Sequence, residues 1–384
     1  MKGFFKVMPL ERVFELAPGF GTVGTKTVAL MDADLRILAE AVTAPCDLPG
    51  FSRSTMDGYA VQAASTFGAS QSNPAYLEIT GEILMGEAPE IKLNPGEAAR
   101  IPTGAMLPGG ADAVVMIEYS EELDATTLEV HKAVAPGTHV VEKDEDIKKN
   151  TLALKKGARL RPQEIGLLAA LGREQIAIFK KPKVGIISTG DELTDIATLP
   201  APGRIRDINT HTISAMVKTA GAKAVSYGIV PDDFEALRKA CERAVSETDM
   251  ILVSGGSSVG TRDLTMDVIR SLPCSEILVH GLTISPGKPT IFARVGEKQL
   301  WGLPGHVTSA MIVFDRVVRP FLESFSGLSP SSARRFRIPA RLSRNISSAQ
   351  GRVDFIRVRL VLEDDGTFIA EPILGKSGLI RTMV

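Results

Sequence analysis

The sequence predicts a multidomain α/β plus β protein. A mostly parallel, three-layer α/β domain is joined to a helical linker domain, a β-rich insert domain and a C-terminal β-barrel-like domain. Three observations predict it. Between 181 and about 325, short apolar runs alternate with helical periodicity, the pattern of strands covered on both faces. From 46 to about 142, and again after 331, short strands are broken by Gly and Pro. At 384 residues the chain exceeds one ordinary core, so ~2–4 domains are expected.

Residues 8–45 read as helical: Leu10–Leu16, then Val28–Val42 with apolar positions at helical spacing and a stop at Pro45. Strand patterns follow at 76–83, 96–104, 112–120 and 127–134, and helical periodicity returns over 161–172. The first helical piece and the last pack together in this reading. Residues 1–45 and 143–180 then form a helical linker domain, to which the family resemblance given below adds a dimerisation role, with 46–142 inserted between them. In the α/β domain, 181–330, strands are read at 184–188, 224–230, 250–255, 276–281 and 299–305. One helix opens at Asn209 and Thr210 and closes at Gly221; a second runs from Asp232 or Asp233 to Thr248; a third begins near Asp263. In the C-terminal domain, 331–384, strands 355–362 and 367–374 flank Glu363-Asp364-Asp365-Gly366, a hairpin signal.

The net charge is −1, which argues against nucleic acid as a partner, since duplex binders carry a basic excess. Three cysteines, Cys46, Cys241 and Cys274, stand far apart with no Cys-x-x-Cys pair, which suits a reducing compartment rather than a zinc ribbon or disulfide framework. The N-terminal apolar patch soon meets Glu11, Arg12 and Glu15 and has no cleavage signal, and no run reaches the ~18 apolar residues of a membrane span. The expectation is a cytoplasmic protein without membrane contact.

In open α/β sheets, ligands bind beyond the carboxyl ends of the strands. Three such ends carry glycine loops. The first holds Gly190, Asp191 and Glu192. The second runs Gly255-Gly256-Ser257-Ser258-Val259-Gly260 and on to Asp263 and Asp267. The third is Pro304-Gly305-His306, before a helix. Glycines let backbone N–H groups approach an anion, and a following helix adds its positive end. Nearby carboxylates are hard oxygen ligands for Mg²⁺. One strand–glycine loop is an ordinary tight turn; three on one edge point to function. None fits a Walker loop or a Rossmann fingerprint, which disfavours an ATPase or a dehydrogenase. Elsewhere, 52–60 and 101–105 read first as turns, 143–146 as an exposed charge run, and 285–289 as a rigid basic turn open to anion binding. His211 and His306 lack ligand spacing and read as local hydrogen-bonding groups.

Taken together, Ser-Arg-Ser-Thr-Met-Asp-Gly-Tyr-Ala-Val (52–61), Ile-Pro-Thr-Gly-Ala (101–105), Asp-Glu-Asp-Ile (144–147), Ser-Thr-Gly-Asp-Glu-Leu (188–193), the 254–265 loop, Pro-Gly-Lys-Pro (286–289) and Gly-Leu-Pro-Gly-His (302–306) resemble the MoeA family, also found as the C-terminal part of gephyrin. The resemblance runs from about 8 to about 380. It implies a transferase of molybdenum-cofactor biosynthesis that inserts molybdate into adenylylated molybdopterin with Mg²⁺-dependent release of AMP. It implies an elongated homodimer of four-domain chains and a molybdopterin-binding, MogA-like α/β domain. The active cleft would join the α/β domain of one subunit and the insert of the other. Molybdopterin adenylyltransferase and enzymes receiving the cofactor are the partners it suggests.

By motif position, the resemblance implies catalytic roles for Glu192, Asp263, Asp57, Thr103 and Lys288, with Glu192 and Asp263 near the metal. It implies substrate binding by Gly190, Asp191, Asp232, Gly255, Gly256, Ser257, Ser258, Gly260, Pro304, Gly305, Asp146, Arg352 and Ser377. The sequence departs from the family in four places. Ser285 replaces a lysine before Pro-Gly-Lys-Pro, Gly-Gly-Ser-Ser replaces Gly-Gly-Val-Ser, and Gly305-His306-Val307-Thr308-Ser309 replaces Gly-Asn-Pro-Val-Ser. The tail closes at Thr382-Met383-Val384, where relatives add a strand or two. Arg262 is expected to supply the positive charge absent at Ser285. Two other readings stand beside this one: adenylylation of molybdopterin by ATP, and a non-catalytic pterin-binding paralogue.

Overall fold

The computed structural model describes residues 7–255, 261–330, 332 and 337–384, with the backbone alone for 261–263. The chain forms two compact units. One holds the chain up to Glu40, Lys156–Pro162 and Gln175–Val384; the other holds Ala41–Lys155 and Gln163–Glu174. The second unit contains the whole 46–142 segment and extends past it on both sides. No helix among the described residues is long and apolar enough to cross a membrane.

The first unit is built on a six-stranded sheet of β1 (Lys183–Thr189), β2 (Lys223–Val230), β3 (Met250–Gly255), β4 (Ser275–His280), β5 (Ile291–Val295) and β6 (Lys298–Leu303), in the order β2-β1-β3-β6-β5-β4. β1 pairs in parallel with β2 and β3, and β3 with β6. β5 is antiparallel to both β6 and β4 and has no counterpart in the sequence reading. It arises from a two-residue turn at Gly296 (φ +57°) and Glu297, which pairs Val295 with Lys298 and sends the chain straight back.

Helices α1 (Asn209–Thr219), α2 (Phe234–Glu247), α3 (Thr261–Ser271) and α4 (Val307–Val313) cover the sheet. They begin where the sequence placed them, and Asp233 caps α2 by accepting the Ala236 N–H at 2.8 Å. Two cores result. Val184, Ile186, Leu252, Ile213, Val217, Trp301 and Val313 fill one face; Ile187, Ile251, Val253, Leu237, Val268 and Leu300 fill the other. Phe292 stacks on Trp301 at 3.8 Å and Phe321 meets both edge-on, so truncating Trp301 to alanine would cost about 3–5 kcal/mol. Near the C-terminus, Val358–Leu362 and Phe368–Pro372 form the expected hairpin and Arg341–Leu342 adds a third strand.

The helical reading of 28–42 is corrected. Thr25–Ala29 is a strand antiparallel to Gln175–Phe179, Leu30–Asp32 is a single 3₁₀ turn, and Val42–Thr43 pairs with Leu152–Leu154. β-branched Thr25, Thr27 and Val28 favour the ladder, the Asp32/Asp34 turn interrupts any helix, and Leu35 takes φ +55°, which no right-handed helix contains. Only Leu10–Phe14 of this stretch is α-helical.

The second unit carries a six-stranded sheet in the order 113–116, 58–61, 97–101, 75–82, 127–130, 120–122. Its two edge strands are joined through the 3₁₀ turn Ile117–Tyr119, so the sheet curls upon itself. Leu77, Ile79, Val61, Val115, Leu128 and Val130 lie on one face, and Ala60, Ala99, Ile101 and Val114 on the other. Gly58–Val61, read from the sequence as part of a loop, is an inner strand buried throughout.

Candidate active site

The parallel register sets the carboxyl edge of the sheet. β1 and β3 end together, with Thr189 opposite Gly255, and β3 and β6 end with Ser254 opposite Leu303. All three glycine loops therefore leave from neighbouring strand ends. Gly255 sits so close to β1 that a Cβ would stand 1.9 Å from the Thr189 carbonyl oxygen. On the β1 loop the exposed Glu192 carboxylate folds over Gly190, where a Cβ would meet Oε2 at 2.6 Å. Asp232, beyond β2, accepts the Thr189 hydroxyl at 2.7 Å and donates its backbone N–H to Asp191 at 3.2 Å. Gly190, Asp191, Glu192, Asp232, Gly255 and Gly305 thus share this edge. Gly256, Ser257, Ser258, Gly260 and the side chains of Arg262 and Asp263 lie outside the described residues.

Two residues the sequence offered only as helix-start or unremarked positions hold the edge together. Asn209, buried at the start of α1, donates Nδ2 to Ser254 Oγ (2.8 Å) and to the Gly305 carbonyl (2.7 Å), joining the second and third loops. Buried Asp207 accepts the Ser188 hydroxyl at 3.1 Å and the Thr210 N–H at 3.1 Å, while Ser188 and Thr210 hydroxyls pair at 2.9 Å. The signal available is Asp-x-Asn ahead of an apolar helix, of which Asn209 reads as a capping residue and Asp207 goes unremarked.

The third loop also borders a recess of about 500 Å³. Lys288, Arg352, Ser377 and Pro304, all singled out in the sequence, line it together with Ser285 and His306. His306 pairs through Nδ1 with Ser377 Oγ at 2.9 Å, the local role expected of it, and Ser377 O accepts the Thr308 N–H at 3.1 Å. Arg352 Nε reaches Asp354 at 3.0 Å; the Asp354 carboxyl is held below its ordinary value by the Ser348 hydroxyl first, with Ser285 and Arg352 adding to it. The basic wall suits a small oxyanion.

In the second unit, Asp57 and Thr103 come together although 46 residues apart. Asp57 accepts the Thr103 N–H at 2.7 Å, and this bond lowers the carboxyl below its usual range. Both side chains are exposed. Asp146 is an exposed residue of a turn pinned by its own N–H to the Leu48 carbonyl at 3.0 Å, beside the Lys143–Asp47 ion pair at 3.3 Å. Among the described residues no three His, Cys, Asp or Glu gather to enclose a metal ion.

Residues 8–172 match the family model described as MoeA N-terminal region (domain I and II), 185–324 that of a probable molybdopterin binding domain, and 339–384 that of MoeA C-terminal region (domain IV). The molybdopterin molybdenumtransferase of Bacillus subtilis is 32% identical over 363 residues, spanning 94% of this chain and 84% of that protein. That of Nostoc sp. is 34% identical over 321 residues, 83% of this chain and 73% of its own length. The crystal structure of a molybdopterin biosynthesis MoeA protein from Pyrococcus horikoshii OT3 superposes with a TM-score of 0.81 at 31% identity, covering 98% of this chain and 93% of that one. This chain belongs to the MoeA family of molybdopterin molybdenumtransferases, enzymes of molybdenum-cofactor biosynthesis.

Proposed function

We propose that this chain inserts molybdate into adenylylated molybdopterin and releases AMP, leaving molybdenum on the pterin dithiolene. One observation carries the reading: the glycine loops of β1, β3 and β6 share an edge, and the β6 loop also walls the recess holding Lys288, Arg352 and Ser377. A phosphoanhydride and a tetrahedral dianion need two such neighbouring anion sites.

The backbone amides of the glycine loops bind phosphate oxygens, and the Asn209 bridge keeps two of those loops at fixed spacing. Lys288 and Arg352 offset molybdate charge, with Ser377 oriented by His306 as a hydroxyl partner. Mg²⁺ would be held by one or two carboxylates and completed by phosphate and water, and Glu192 fits as the first of them because its carboxylate is exposed on the β1 loop. When bound, it neutralises phosphate charge and polarises the bond to be cut. Asp263 is its second proposed ligand.

The proposal extends to a cytoplasmic homodimer in which Asp57 and Thr103 of one copy serve the strand-end loops of the other, with Asp146 at the same substrate. Mixing Glu192→Ala and Asp57→Ala copies should then restore activity through hybrid dimers. The central test incubates the purified chain with adenylylated molybdopterin, Mg²⁺ and molybdate. AMP release that depends on molybdate is expected; binding without release would leave a pterin carrier, and pyrophosphate from ATP and molybdopterin would make it the preceding enzyme.

A further inference from the structure

The Asp57–Thr103 contact lies just outside the last rung of a strand pair. Gly58 opposes Ile101 there, and the next rung inward is Tyr59 opposite Arg100. Both side chains of that inner rung converge on one carboxylate from the far edge of the curled sheet. Tyr59 Oη donates to Glu122, and Arg100 grips Glu122 through Nε at 2.6 Å and Nη2 at 2.8 Å. Tyr59 follows Asp57 by two residues and Arg100 precedes Thr103 by three. We propose that Glu122 is a positioning residue: by holding Tyr59 and Arg100 in one bidentate grip, it fixes the two loop bases so that Asp57 and the Thr103 amide meet.

Stability alone does not call for this arrangement. The sheet is already secured by wholly buried Ala60, Val61, Ala98 and Val115, and an ion pair with about a third of each side chain exposed adds little. What a bidentate arginine–carboxylate pair supplies is direction. The phenol completes it: Tyr59 is 5% exposed, so its hydroxyl has few partners to choose from, and Glu122 is the one it meets. A slip of either strand would separate Tyr59 from Arg100 and Asp57 from Thr103 together.

This inference rests on the proposed role of Asp57 and Thr103, and its test has one readout independent of activity. Glu122→Gln keeps the side-chain shape but loses the charged grip; Tyr59→Phe removes only the hydroxyl. Amide exchange at Thr103 should accelerate about tenfold in Glu122→Gln, with a smaller effect in Tyr59→Phe. The kcat of molybdate-dependent AMP release should fall by a similar factor while KM for molybdate stays within about twofold, because the Lys288 recess is untouched. Unchanged Thr103 exchange overturns the proposal, as does faster exchange with normal kcat. A wild-type chain that releases no AMP would remove the proposed function instead and leave the exchange result to decide the brace.

Discussion

Gly255 packs its Cα against the carbonyl of Thr189, its register partner across β1 and β3, with φ at +140°. No L-side chain fits: the Cβ would sit 1.9 Å from a backbone oxygen, in a conformation only glycine adopts readily. Gly255→Ala must push β3 away from β1 where both loops leave the sheet. A loss of about 1–3 kcal/mol in urea denaturation is expected, together with at least a tenfold drop in AMP release. An unchanged midpoint and turnover would show that this close approach does not shape the edge.

Asn209 offers a sharper substitution. Its Nδ2 serves two acceptors, Ser254 Oγ and Gly305 O, while its Oδ1 is buried without a partner among the described residues. Asn209→Ala strands both acceptors but also removes the orphan oxygen, so a loss of about 1–3 kcal/mol is expected. Asn209→Asp keeps the shape yet turns a carboxylate oxygen toward the Gly305 carbonyl, and should be the worse of the two. Thermal melts of both variants check the order; equal stability of the aspartate and the wild type would mean that the amide does not bridge the loops.

The α/β domain was legible because strands buried on both faces are written as continuous apolar runs: six of the seven residues of β1 are buried, and five of the six in β3 and in β6 are buried. β5 was missed because antiparallel return depends on the Gly296 turn rather than on periodicity. The 28–42 error has the opposite cause: its apolar spacing is helical, but strand pairing at Val28–Ala29 and at Val42, with a turn and the positive φ of Leu35 between them, overrides it. The loops of the site announced themselves through glycine, whereas the groups fixing them did not. Asn209 meets Gly305 across 96 residues, and Tyr59 meets Glu122 across 63. No local pattern records such pairings.

Glu192 separates chemistry from fold. Its carboxylate is exposed above Gly190, and the backbone around it is held independently, by Leu193 N–H to Gly190 O at 3.0 Å and Ile205 N–H to Glu192 O at 2.8 Å. Glu192→Ala should therefore abolish molybdate-dependent AMP release while shifting stability by about 0.5 kcal/mol or less. Turnover assays paired with denaturation curves test both halves. Normal turnover would falsify the role, and a large loss of stability would make any loss of activity uninformative about chemistry.

The Glu122 brace carries a pH signature with a fixed sign. Arg100 foremost, then the Tyr59 hydroxyl, holds the Glu122 carboxyl down to about 2, below its ordinary 4.5. Burial foremost, then Glu122, pushes the Tyr59 phenol up to about 12 from 10. A depressed carboxyl stabilises the fold above its unfolded value and loses that contribution as pH falls through the folded one; a raised phenol does so below 10 and loses it as pH climbs toward 12. The melting-temperature difference between wild type and Glu122→Gln, small because the pair is about a third exposed, should be flat from about pH 5 to about pH 9 and shrink toward zero as pH approaches about 2. Asp57, lowered by the Thr103 amide, titrates in the same direction, but it is present in both proteins and largely cancels from the difference. The corresponding difference for Tyr59→Phe should fade instead on the alkaline side. A Glu122→Gln difference that stays constant through the acid range would mean that the carboxylate is not gripped by Arg100 in solution, and the loop bases would then need another source of order.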